Sequence, residues 1–222
     1  MLTFFQSLDL SHTQAKSYLS AYDYPWEGLA GLKEFLRGFG TTLPSQEYDE
    51  LDHGVRVHKT ARVAPTACLL PPCIVGANTE IRHGAYLRGG VLVGENCVVG
   101  NSTEIKNSIL FDGAKAPHFN YVGDSILGFN AHLGAGCVLS NVKSDRSPIT
   151  VRKGEESLQT GLQKLGAIVG DYAEIGCNSV LNPGSVVGKR ATVYPLSSVR
   201  GFVPENCIWK NGVIERKRGY QV

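Results

Sequence analysis

The sequence predicts an all-β fold, a coiled parallel β-solenoid preceded by a short helical cap, and three observations predict it. Every sixth residue from Val57 is apolar, giving Val57, Val63, Leu69, Val75, Ile81, Leu87, Val93, Val99, Ile105 and Phe111, and the series resumes as Val122, Leu127, Leu133, Leu139 and then as Val169, Ile175, Leu181, Val187, Val193, Val199. The fifth position of each hexad is small or compact, as in Ala61, Ala67, Cys73, Thr79, Ala85, Cys97 and Thr103. Glycine is abundant, 26 residues against two tryptophans, and it often follows the apolar residue, as in Val75-Gly76 and Val93-Gly94. Such a residue tolerates the backbone angles of a tight turn. A period of six fits neither a helix, at about 3.6, nor an alternating strand, at about 2. It fits short strands stacked coil on coil, each placing one large side chain in a shared core.

Residues 1–52 lack the ladder. Trp26, Leu29, Leu32, Leu36 and Phe39 recur at helical spacing behind Pro25, and a shorter helix is expected over Thr13 to Ala21 with Ser11 as its N-cap. An open solenoid end exposes core and unpaired strand edge, so this segment is assigned as a helical cap. The ladder proper occupies 53–207, with one long interruption at 143–168, where alternation around Gly154 predicts a projecting hairpin. Residues 208–222 form a tail containing Glu215-Arg216-Lys217-Arg218, read as a solvated end.

Net charge is +2, with 22 basic and 20 acidic residues, so composition argues for neither nucleic acid nor an anionic membrane as partner. No basic leader followed by a long apolar run is present, and a soluble cytoplasmic protein is expected. The six cysteines, Cys68, Cys73, Cys97, Cys137, Cys177 and Cys207, form no CxxC pair and no zinc-type spacing, and reduced structural thiols are expected. No metal site is expected either.

Two cations mark the ladder's outer surface. Arg88 follows Leu87 and Lys106 follows Ile105, eighteen residues apart, which is one full turn if three hexads make a coil. They should then stack on neighbouring coils, within reach of one phosphate. Beyond Phe111 the ladder breaks, and a loop Pro117-His118-Phe119-Asn120-Tyr121 is expected before Val122. His118 is the natural proton acceptor there, and Tyr121 could orient it or a substrate.

The repeat resembles that of hexapeptide-repeat proteins, and the resemblance implies a left-handed β-helix and a homotrimer. Glu104-Ile105-Lys106-Asn107, Gly113 to Asp124 (GAKAPHFNYVGD), Leu133-Gly134-Ala135-Gly136 and Ser140-Asn141-Val142-Lys143 resemble the acetyltransferase domain of the bifunctional enzymes that make UDP-N-acetylglucosamine. Lys164 to Asp171 (KLGAIVGD) is similar to the archaeal-type branch of those sugar-1-phosphate enzymes, and the likeness covers roughly residues 55–207. It implies acetyl transfer from acetyl-CoA to the amine of an amino-sugar phosphate, glucosamine 1-phosphate first, with His118 as general base. Arg88, Lys106, Tyr121, Asn141 and Lys143 would then contact the acceptor, and Ala135, Cys177 and Pro195 the coenzyme. His132 stands where the family usually has Asn, and residues 1–52 are too short for the nucleotidyltransferase domain, so a separate protein is expected to supply that step. Another amino sugar, a nucleotide-linked sugar, or a non-catalytic scaffold of the same fold are the alternatives.

Overall fold

The computed structural model describes residues 5–217. They form a left-handed parallel β-helix of triangular section whose faces are nine-, nine- and seven-stranded sheets. The chain runs round the three faces in order, for example Cys73–Val75, then Glu80–Ile81, then Tyr86–Leu87, before returning to the first face at Val91–Val93. Register follows the hexads, with Val57 beside Val75, Val75 beside Val93, and Leu69 beside Leu87. The inner rungs pack on one another along the axis and are almost completely buried.

The ladder slips once in a way the period did not predict. Val93 stands beside Leu110, not Phe111, and Leu110 beside Leu127. Leu110 therefore points into the solenoid, while Phe111 belongs to a second cluster outside it. The cause is a corner shortened by one residue at Asn107, and again at Asp124, both held at positive φ (47°). The coil carrying the candidate base consequently has 17 residues, with Val99 beside Ala116 and Ile105 beside Val122. The expected loop at Pro117–Tyr121 is thus no break at all. Lys115–His118 is a strand of the second face, one corner residue (Phe119, φ 52°) follows with Asn120, and Tyr121–Gly123 is a strand of the third.

The first face is apolar on both sides. Its outer surface carries Ile74, Leu92, Ile109, Ile126, Ile168 and Val186, all at most 1% exposed. Strands buried on both faces read as continuous apolar runs. The helix Gly28–Thr42 supplies Leu29, Leu32 and Leu36 to this outer ladder. The N-terminal segment therefore covers a side of the solenoid and not its open end, because that side is where unsatisfied apolar surface lies. The first edge is closed instead by Tyr48–Asp52, paired antiparallel with Val55–His58.

The other expected elements differ in detail. Where a Thr13–Ala21 helix was expected, a 3-10 turn spans Leu10–His12 and a short α-helix Lys16–Leu19, and Asp9 is the N-cap, accepting from Ser11 N–H. A hairpin forms around Gly154, Thr150–Lys153 against Glu156–Gln159, but it is folded back, with Ile149 and Val151 buried in the outer cluster. The tail continues the second face as a hairpin, Cys207–Lys210 with Val213–Arg216, and Arg218 lies outside the described residues. Among the described residues no helix is long and apolar enough to cross a membrane.

All six cysteines are free, Cys68 and Cys177 exposed and the other four buried. Burial pushes the Cys73 and Cys97 thiols up to about 12 and that of Cys137 up to about 11. At pH 8 these three are protonated as well as covered, which suits them to packing rather than to nucleophilic chemistry.

Candidate active site

With the first face covered, the outer surface of the third face and its two bounding corners remain open. The residues singled out in the sequence gather there in two columns. The corner between the second and third faces stacks His118-Phe119, Ala135-Gly136, Cys177-Asn178 and Pro195-Leu196 on successive coils. Gly136 N–H donates to His118 O at 3.0 Å, Asn178 N–H to Ala135 O at 2.8 Å, and Leu196 N–H to Cys177 O at 2.9 Å. The base candidate and the three coenzyme-side candidates therefore share one line parallel to the axis.

His118 is exposed, and none of the described residues hydrogen-bonds its imidazole. Its backbone is held firmly. Asn120, 3% exposed, accepts from His118 N–H through Oδ1 (3.1 Å) and donates through Nδ2 to Gly134 O (2.7 Å). One buried amide thus ties the strand end bearing His118 to the Gly134-Ala135-Gly136 turn. The Ala135 N–H donates to no described residue and remains available to an oxygen placed against the turn. Sequence reading gave Asn120 no role. Its signal was weak, since an Asn between two aromatics reads as turn chemistry.

Asn120→Ala removes both bonds, leaving the His118 N–H without its side-chain acceptor and the Gly134 carbonyl with the long bond from Cys137 N–H (3.4 Å). We expect about 1–3 kcal/mol lower stability. If the pair acts as a unit, the rate of any reaction that uses His118 should also fall by roughly 100-fold, because small misplacements of reacting groups are costly. Steady-state kinetics and thermal melts on the same preparation check this; loss of stability with an unchanged rate would make Asn120 merely structural.

The second column is the corner between the third and first faces. Arg88 and Lys106 do stack on neighbouring coils, since Leu87 stands beside Ile105. Each is already engaged by a carboxylate, Arg88 Nη1 with Glu104 Oε1 at 2.6 Å and Lys106 Nζ with Asp124 Oδ2 at 3.0 Å. Asp124 is 5% exposed and organises the corner, also accepting from Asn107 Nδ2 (2.8 Å) and from Asn141 Nδ2. Tyr121 sits beside them. A Cβ on Gly123 would lie 2.7 Å from the Tyr121 hydroxyl and 2.8 Å from the Asn141 amide, so glycine is what lets both close over the strand. Lys106, Tyr121 and Asn141 are thus brought together around a residue missed in the sequence. Lys143 is drawn away into its own loop, donating to Pro148 O (2.7 Å) and Ser147 Oγ (3.3 Å).

His132 lies on the second face beside Lys115 and Glu174, and its Nδ1 is 2.8 Å from Glu174 Oε2. The residue that departs from the family pattern therefore comes with a carboxylate partner, which leaves Nε2 as the nitrogen that can face a ligand.

Period and fold together make this a hexapeptide-repeat β-helix. More particularly it resembles the acetyltransferase part of the bifunctional sugar-1-phosphate enzymes. Residues 69–156 match the family model described as the GMPPB C-terminal domain. A bifunctional sugar-1-phosphate nucleotidylyltransferase/acetyltransferase of Sulfurisphaera tokodaii is 33% identical over 111 residues, covering 50% of this chain and 28% of that protein. A bifunctional protein GlmU of Methanococcus maripaludis is 28% identical over 214 residues, covering 94% of this chain and 52% of that protein. The chain thus spans about half the length of these curated relatives at most. Among solved structures, the acetyltransferase domain of PglB from Neisseria gonorrhoeae, in complex with acetyl coenzyme A, covers 70% of this chain and 53% of its own at 17% identity and a TM-score of 0.30.

Proposed function

We propose that this chain is an acetyl-CoA-dependent N-acetyltransferase acting on an amino-sugar phosphate, with glucosamine 1-phosphate the first acceptor to test. The observation that carries the reading is the corner column, in which an exposed histidine and a free backbone amide are locked together by Asn120. The coenzyme would lie along that column past Ala135, Cys177 and Pro195. The acceptor would lie across the third face, its phosphate displacing Glu104 and Asp124 from Arg88 and Lys106, its hydroxyls meeting Tyr121 and Asn141, and its amine meeting His118.

The chemistry needs no covalent enzyme intermediate. His118 takes the proton as the amine attacks the thioester carbonyl, the N–C bond forms, the Ala135 N–H stabilises the developing oxyanion, and the C–S bond breaks to release the coenzyme thiol. A homotrimer fits the same corner, since Phe119 and Leu196 stand 62% and 80% exposed on it and need a cover.

The test is thiol release from acetyl-CoA with a panel of amino-sugar phosphates and nucleotide-linked amino sugars. Turnover with glucosamine 1-phosphate supports the reading. Turnover only with another acceptor keeps the chemistry and changes the substrate, and no thiol release with any acceptor promotes a non-catalytic scaffold.

A further inference from the structure

Several cations of the described residues are paired with a carboxylate: Arg56 with Glu50, Arg82 with Glu80, Arg88 with Glu104, Lys106 with Asp124 and Lys189 with Asp171. Among those that are not, three converge. Lys143, Arg152 and Arg200 line a recess of about 50 Å³ together with Thr150, Pro183 and Gly201. The recess adjoins a cleft of about 320 Å³ that shares Lys143, Pro183 and Arg200 with it. None of the three cations makes an ion pair with a described carboxylate. The one acid lining the cleft, Asp145, spends Oδ1 on Ser147 N–H and Oγ–H. The balance at the recess is net positive.

The three side chains come from separate segments, which makes their convergence a product of the fold. Lys143 follows Asn141 and is held by Pro148 O and Ser147 Oγ. Arg152 is on the hairpin strand that Ile149 and Val151 anchor against the first face. Arg200 is at the corner, just before Gly201 (φ 88°), where the Arg152 carbonyl passes close by. Three like charges with Asp145 as the one acid nearby repel one another, and a bound anion lowers that cost. The recess has room for one phosphoryl group, and two guanidinium groups can grip it.

Its position suggests which phosphate. Ser140 N–H bonds to Leu181 O and Asn182 N–H to Val199 O, so Ser140, Asn182 and Arg200 stand in register on three successive coils of one corner, with Asn141 one residue beyond Ser140. Two coil steps are about 10 Å. The acceptor phosphate proposed at Arg88 and Lys106 lies on the opposite side of Asn141, so the recess is a second anion site, and three cations match the charge of a diphosphate better than that of a monophosphate. The coenzyme column lies on the other corner of the third face.

We propose that the Lys143–Arg152–Arg200 recess is a phosphate-binding site that takes the diphosphate of a nucleoside-diphosphate-linked ligand. The choice of that ligand over the coenzyme rests on the proposed placement of the coenzyme along the other corner; the recess itself does not.

The test is titration calorimetry on the full chain with UDP, CoA and glucosamine 1-phosphate as separate probes. UDP should bind, more weakly as salt is raised. Arg200→Ala and Arg152→Ala should each weaken it by about ten-fold or more, since each removes a charge-assisted contact. Both residues are exposed, so the variants should fold, and Arg200→Lys should recover part of the loss. Binding of CoA and of glucosamine 1-phosphate should not change. Absence of UDP binding, or equal binding by wild type and Arg200→Ala, overturns the proposal, and so does a loss confined to CoA. UDP binding that depends on Arg200 in a protein that acetylates nothing would uphold the recess and defeat the acetyltransferase reading, so the two fail separately.

Discussion

Replacing His118 by alanine is expected to lower acetyl transfer by about 100- to 10,000-fold, the usual contribution of a positioned base, while leaving the fold and coenzyme binding intact. The reason for the clean separation is structural. Only the His118 backbone is woven into the solenoid, through bonds to Asn120 and Gly136, and the imidazole is exposed. The truncation therefore removes chemistry without opening a cavity. A rate that survives in His118→Ala, in protein melting like wild type, would reassign the base, and His132 with its Glu174 partner would be the next group to test.

The second large effect is expected from Gly100→Ala, a change of one methyl group in a residue that touches no ligand. Here the coils approach so closely that a Cβ on Gly100 would overlap the Pro117 carbonyl group and Cα. Backbone atoms cannot swing aside as a side chain can, so the coil bearing His118 must lift away from its neighbour. The pairings of Val99 with Ala116 and of Asn101 with His118 are the ones at risk. Overpacking of this kind costs about 3 kcal/mol or more. For a chain of this size that is a fall in Tm of roughly 6–12 °C. Melts at matched protein concentration check it, and a Tm within error of wild type would show that the strand Lys115–His118 is not pinned as described. Activity should fall too, because His118 moves with the strand.

Much of this architecture was written in the spacing of apolar residues, because a core that admits one large side chain per strand repeats whenever the strand does. The slip at Asn107 was not legible for an equally physical reason. Ile109, Leu110 and Phe111 are all apolar, and a pattern of hydrophobicity cannot say which of three neighbours faces inward when the outer side is buried as well. A partial signal was the doubled apolar residue, as in Ile74-Val75, Leu92-Val93 and Ile168-Val169, recurring on every third hexad, although Val98-Val99, Val138-Leu139 and Val180-Leu181 on the other faces blur it. It marks a face apolar outside as well as inside, and so locates the cover that the N-terminal helix and the hairpin provide.

The candidate site was legible to the same uneven degree. Stacking of Arg88 over Lys106 followed from the period, and the corner column of His118, Ala135, Cys177 and Pro195 is what coil-to-coil registration makes of the residues drawn from family likeness. The carboxylates opposite both cations were harder to see. Asp124 reaches Lys106 from the next coil through a shortened corner, so its partnership depends on the very residue count that the ladder obscured. Asn120 likewise works through the turn one coil away.

Acetyl-CoA lying along the corner that carries His118 and Ala135 is the placement most open to direct measurement, and the protein contains its own reporter. Cys177 is exposed on that corner between Ala135 and Leu196, whereas exposed Cys68 lies on a third-face strand toward the solenoid's start. The measurement is the rate of maleimide labelling of each cysteine at pH 8, read by peptide mass spectrometry with and without saturating acetyl-CoA. Cys177 and Cys68 should label in the free protein, Cys73, Cys97 and Cys137 should not, and acetyl-CoA should slow Cys177 alone. Cys177 labelling at the same rate with the coenzyme bound would contradict that placement.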